Sequence, residues 1–134
     1  MKRPLIAGAV CLATTTALLL TGAAPQAASD DLCDNLTELR LDSLALGDLS
    51  SDSSKDDVKE SYDDVQDDWE DVRDDLGEVN SNARDAVQKA ADDLRNTYAD
   101  LPDDASVREI VSTLRPEARQ LGQELRDAAS DVRC

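Results

Sequence analysis

Closely spaced carboxylates between residues 56 and 75 have the most evident chemical capacity in this sequence. Carboxylate oxygens are the ligands that Ca²⁺ and Mg²⁺ prefer, and aspartates four residues apart lie one turn apart on a helix, where two can share a cation. The spacing of an EF-hand loop is absent, so the sequence predicts no dedicated metal centre and at most weak, diffuse binding of Ca²⁺ or Mg²⁺. The weak candidate ligands are Asp63, Asp64, Asp67, Asp68 and Asp71.

The same stretch can also be interpreted as a docking surface. A strongly negative helix face attracts cationic partners, here a basic protein or a component of the cell envelope. A simpler alternative is a solvated face that only keeps the protein soluble. The residues predicted for the acidic interaction face are Asp56, Asp57, Glu60, Asp74 and Asp75.

Catalytic chemistry finds no support in the residue types. The sequence contains no histidine, and histidine is the commonest general base and a common metal ligand. No serine lies in a nucleophile motif, and the five glycines are scattered instead of forming a phosphate-binding loop. Paired carboxylates can act as acid and base only in a concave pocket that shifts a pKa, which a thin helical rod does not provide. The sequence therefore predicts a protein that is not an enzyme.

Two cysteines lie outside the N-terminal leader described next, Cys33 and Cys134, near the two ends of the acidic region. In an oxidising compartment such a pair predicts a disulfide. If the chain reverses direction at both of its loops, each cysteine arrives beside Asp71 of the central helix, where the first and last helices would meet end to end. An intermolecular bridge between two chains is the alternative.

Residues 1–29 have the order of a secretory signal peptide, with a short basic start, an apolar run over 5–21 and small residues after it. We predict cleavage near Ala28 or Ser29, secretion, and no stable membrane insertion of the remaining chain. The alternative is an uncleaved anchor, because the apolar run approaches the roughly 18 residues that a spanning helix needs. Residues 30–134 are predicted to form a single acidic helical domain.

The charge of this domain limits its partners. It contains 30 acidic and 12 basic residues, a net charge of −18, which excludes nucleic acid because phosphate binding needs clustered lysine and arginine. Residues 30–78 hold 19 of the acids and four of the bases, so an elongated molecule would carry its negative charge at one end. Over the whole sequence aspartate exceeds glutamate by 23 to 7 and arginine exceeds lysine by 10 to 4, a bias that favours a GC-rich bacterial source.

Acidity with few aromatic residues also fits disorder, but the apolar spacing favours a helix. From position 58 the steps between apolar residues alternate between four and three, and with one slip they continue to Leu101. The first members of this seam are Val58, Tyr62, Val65, Trp69, Val72, Leu76, Val79 and Ala83. Ser53 or Ser54 provides a capping signal before it. We therefore predict one continuous helix over about 54–101, roughly 70 Å long.

Two shorter helices are predicted on either side of the central one. The first spans about 31–47, and the last spans about 104–133, opens at a capping box that begins with Ser106, and is kinked near Pro116. The predicted fold class is all-α, an elongated antiparallel coiled-coil-like helical hairpin or three-helix rod with a long central helix.

These features together predict a non-catalytic secreted protein, an interaction or structural module that uses its acidic outer face. One alternative is an envelope chaperone or stress protein that offers its apolar seam to clients. Another is a homodimeric coiled-coil spacer with weak divalent-cation binding. The sequence leaves open whether the protein is a monomer or a coiled-coil homodimer.

Overall fold

A computed structural model describes residues 29–134, and the predicted signal peptide lies outside the described residues except for Ser29. The described chain contains four helices that pack together and no strand, which confirms the all-α class. They are α1 (Asp30–Asp48), α2 (Lys55–Asp75), α3 (Ser81–Ala99) and α4 (Val107–Asp131).

The predicted continuous helix over 54–101 is wrong, because the chain leaves the α-helix after Asp75. A short 3₁₀ turn covers Leu76–Glu78, and Val79 adopts extended backbone angles (φ −89°, ψ 148°). The side chain of Asn80 then accepts a hydrogen bond from the Ala83 N–H at 2.9 Å and begins α3. An asparagine in this position accepts a hydrogen bond from one of the free N–H groups at the start of a helix. It therefore favours a new helix that begins here over a continuation of α2.

The helices on either side of this turn fold back on each other. The rings of Tyr62 and Tyr98 are stacked with their centroids 3.7 Å apart, whereas a continuous helix would separate these residues by about 54 Å. The predicted long central helix of a rod is thus replaced by two antiparallel helices, and a bundle of four helices takes the place of three.

Serine caps begin α2 and α4, as their sequence signals predicted. Ser54 and Asp57 form the reciprocal capping box of α2, and the Ser106 hydroxyl accepts from the Glu109 N–H at the start of α4. α4 then runs through Pro116 without a break, so the prolyl ring does not divide the helix. Pro116 is exposed, while Leu114 and Ala118 beside it are buried, so packing of the inner face holds the helix together there.

The heptad seam forms the core. Every seam residue from Val58 to Val79 is buried, and leucines of α1 and α4 pack against them. Trp69, the only tryptophan, is 5% exposed. The apolar spacing therefore identified the buried face correctly, although the helix that carries it is not continuous.

α1 and α4 lie side by side and antiparallel, not end to end as predicted. Small residues allow this close approach: a Cβ added to Gly122 would lie 3.0 Å from Cδ2 of Leu44, and one added to Gly47 would lie 3.3 Å from Cγ of Arg119. Glycines at these positions leave room for the facing helix. In a rod whose first and last helices met end to end, no such room would be needed.

Candidate functional site

The two cysteines meet at one end of the bundle. Cys33 lies in the first turns of α1 and Cys134 follows α4, with their Sγ atoms 2.06 Å apart and their Cα atoms 5.4 Å apart. Arg133, at φ 61°, turns the chain through the left-handed region, and the Cys134 N–H then donates to the Ala129 carbonyl at 2.9 Å. This reversal directs Cys134 towards α1, so the pair predicted from composition is brought to disulfide distance. The predicted end-to-end meeting of the first and last helices was wrong, because α1 and α4 overlap along their lengths.

The turn between α2 and α3 joins the same end of the bundle. The Ser29 hydroxyl donates to the Glu78 carboxylate at 3.0 Å, and the Asn80 amide donates to Asp131 at the end of α4. Polar contacts therefore connect the start of α1, the turn between α2 and α3 and the end of α4, in addition to the cysteine pair.

Charge is distributed very unevenly among the four helices. α1 and α2 together hold 17 acidic and four basic residues, whereas α3 and α4 hold eight acidic and seven basic residues. Because α1 and α2 are neighbouring helices, the negative charge lies along one side of the bundle. The sequence had predicted that the negative charge gathers at one end of a rod. This was wrong because the central helix of that rod is divided into the antiparallel helices α2 and α3.

Most carboxylates of α2 point into solvent. Nine of its eleven acidic side chains are exposed, and only Asp68 and Asp75 are half-buried. Asp57 is also occupied locally, because its carboxylate accepts from the Ser54 N–H at 2.8 Å; this bond, followed by the Ser54 hydroxyl bond, lowers the pKa of Asp57. Four of the five residues predicted for the interaction face are therefore exposed, and Asp75 is partly covered.

An open hollow of about 260 Å³ lies on the outer face of α2. Its lining consists of Asp56, Lys59, Glu60, Asp63 and Asp64. Lys59 pairs with Asp63 one turn away, and this hydrogen bond raises the pKa of the lysine. The hollow is a charged depression on one helix, and a cationic group can approach its free carboxylates from solvent.

The five weak metal candidates do not come together. Within residues 29–134, no group of three or more Asp, Glu or Cys side chains is arranged to hold a metal ion. Asp63, Asp64, Asp67 and Asp71 are exposed. Asp68 differs from them because it turns towards α1.

The contact between Asp68 and α1 is the feature that the sequence analysis missed. Asp42 lies within hydrogen-bonding reach of Asp68, and Glu38 and Asp64 are close enough to affect it electrostatically. Desolvation, and then the Asp42 contact, raises the pKa of Asp68 to about 7. Position along each helix offered a signal, because Asp68 immediately precedes the seam residue Trp69 and Asp42 immediately precedes the buried Ser43.

Comparison with known proteins assigns no relative: no protein family, no curated protein and no solved structure matches this chain. None of the helices in residues 29–134 combines the length and the apolar character needed to cross a bilayer.

Proposed function

We propose that this protein is a secreted, non-catalytic binding module whose acidic α1–α2 side docks a cationic partner, such as a basic protein or a cationic component of the cell envelope. The observation that carries this proposal is the segregation of charge: 17 acids and four bases on α1 and α2, against eight and seven on α3 and α4. Solubility alone needs net charge but does not need its confinement to one side.

The physical basis is an electrostatic field with a direction. At physiological salt, screening acts over about 8 Å, so carboxylates one helical turn apart add their potentials while distant charges do not. Few neighbouring cations reduce this potential on α2, where Lys59 pairs with Asp63 and Arg73 lies near Asp74. A one-signed surface of this kind accelerates and orients the approach of an oppositely charged partner.

The two alternative functions receive less support from the packing. A chaperone that binds apolar clients and a coiled-coil homodimer both need the apolar seam to be open to another chain. The seam is buried within one chain, and among residues 29–134 the large apolar side chain that is exposed is Leu41, at 60%. Export itself rests on the leader sequence alone.

The test compares the binding of a labelled poly-L-lysine peptide to two variants of equal net charge. Binding is measured by fluorescence anisotropy at low and physiological salt. The first variant neutralises four exposed acids of α2 (Asp56→Asn, Glu60→Gln, Glu70→Gln and Asp74→Asn). The second neutralises four exposed acids elsewhere (Asp85→Asn, Asp103→Asn, Glu109→Gln and Asp127→Asn). Their side chains are exposed in every case.

We expect the α2 variant to bind about tenfold more weakly than the unaltered protein, because each exposed charge contact contributes a few tenths of a kcal/mol and four act together. The matched variant should lose much less. Equal losses in the two variants would show that net charge alone attracts the peptide, and the proposed docking side would then be wrong.

A further inference from the structure

One carboxylate oxygen in the bundle lies in unusual surroundings. Oδ2 of Asp68 is buried and has no hydrogen-bond donor within reach. An ionised oxygen withdrawn from water without a donor is costly, and native proteins rarely retain one. The buried hydroxyl of Ser43 on α1 is by contrast satisfied, since it donates to the Leu39 carbonyl at 2.7 Å.

The groups that face Asp68 are all acidic. Glu38 and Asp42 face it from α1, and Asp64 faces it from the preceding turn of α2. No charged group of α3 or α4 is among the described side chains that shift its titration. Of these three carboxylates Asp42 affects the pKa of Asp68 most strongly, because it lies within hydrogen-bonding reach.

Two carboxylates in such contact cannot both remain ionised at low cost, because like charges at short range repel strongly in a desolvated site. A single proton removes this repulsion and turns the pair into an O–H···O⁻ hydrogen bond, a short and strong type of contact.

We propose that Asp42 and Asp68 share one proton and thereby form an acid-dependent clasp between α1 and α2, which holds the two helices together in mildly acidic surroundings and loosens them above neutral pH. This inference goes beyond the proposed function and does not depend on a partner. It adds a pH response to the same pair of helices that carries most of the negative charge.

The direction of the pH response follows from linkage. Burial and the neighbouring carboxylates raise the pKa of Asp68 to about 7 in the folded protein, whereas an aspartate in the unfolded chain titrates near 4. Between these values the folded state binds the additional proton, so the free energy of unfolding increases as pH falls from about 8 towards 4 and decreases as pH rises through 7.

The deciding experiment measures urea unfolding from about pH 5 to about pH 8.5, with the fluorescence of Trp69 as the signal. Asp68→Asn keeps the shape of the side chain and supplies an amide donor to Asp42. Asp71→Asn removes the same charge from an exposed position on the same helix, and so controls for the general relief of negative charge.

We expect the urea midpoint of the unaltered protein and of Asp71→Asn to fall as pH rises through 7, and that of Asp68→Asn to fall much less. At pH 8.5 Asp68→Asn should be more stable than Asp71→Asn. The same pH dependence in both variants would overturn the clasp. If Asp68→Asn does not fold, ¹³C carboxyl titration of the unaltered protein decides, since the clasp requires one of the two carbons to titrate near 7 and is wrong if both titrate below about pH 5.

Discussion

The side chain of Arg115, on the neighbouring helix α4, caps the C-terminal end of α1. Its Nε donates to the Gly47 carbonyl at 3.0 Å, and its guanidinium NH₂ donates to the Leu49 carbonyl at 3.1 Å. α1 has no basic residue in its own last turn, so its final carbonyls would otherwise depend on solvent. The planar guanidinium suits this task because two of its N–H groups point the same way.

We predict that Arg115→Ala lowers the free energy of unfolding by about 2 kcal/mol, since it removes two charge-assisted hydrogen bonds from partly buried carbonyls. Arg115→Lys should recover only part of this loss, because an ammonium group cannot reach both carbonyls in the same geometry. Arg108→Ala, at an exposed position of the same helix, is the control and should change stability by less than about 0.5 kcal/mol. Chemical denaturation monitored at Trp69 provides the values, and a loss no larger than that of the control would contradict this role.

Two contrasting interfaces determine the shape of the bundle at the level of the helices. Gly47, Gly122 and Ala118 let α1 and α4 approach closely, whereas stacked Tyr62 and Tyr98 fill the space between α2 and α3. Residue volume at the interface sets the distance between helices. The apolar spacing conceals this difference, because it records which positions are apolar and not how large the side chain or the space opposite them is.

Gly122 is the position at which the close interface can be tested. A Cβ there would already lie 3.0 Å from Leu44, while a Cβ at Gly77 would meet no atom within 4 Å. We therefore predict that Gly122→Leu lowers the free energy of unfolding by about 2 kcal/mol through overpacking. Gly77→Leu, with open space around it, should change stability by less than about 0.5 kcal/mol. Thermal and urea unfolding of the two variants would decide, and equal stability would show that α1 and α4 tolerate separation.

The molecule as a whole is closed by the pair Cys33 and Cys134, which are 101 residues apart in sequence. A cross-link over a loop of this length restricts the unfolded chain, and the chain-entropy model gives about 4–5 kcal/mol for it. This is a large share of the stability of a small domain. The two cysteines meet within one chain in the structure, so the alternative of an intermolecular bridge is not needed to pair either thiol.

We predict that replacing both cysteines by serine lowers the free energy of unfolding by about 4 kcal/mol and leaves a monomer with the same helical content. Reduction of the unaltered protein should have a similar effect, measured by circular dichroism during thermal unfolding. Non-reducing peptide mapping provides the direct check. Recovery of free Cys33 and Cys134 peptides from the native protein, or of a dimer that reduction dissociates, would contradict the closure.

Much of the fold was accessible from the chain alone. Alternating steps of three and four residues marked the buried face from Val58 to Val79, and serine caps marked the starts of α2 and α4. The break before Asn80 was missed because Leu76 and Val79 are buried in the same core as the helices on either side, so the apolar spacing passes through the turn without interruption. The capping asparagine was the available signal.

The sequence by itself determined the composition of the core, the starts of α2 and α4, the acidic imbalance and the two cysteines, because each of these depends on residue type or on spacing within one segment. Only the tertiary structure decided that α3 folds back on α2, that α1 lies alongside α4, that Arg115 ends α1, and that Asp42 meets Asp68. Helical periodicity records which side of a segment is apolar but carries no information about what lies opposite. The partner of each face is set by helix packing and loop direction, and the acidic side and the proposed clasp both arise at that level.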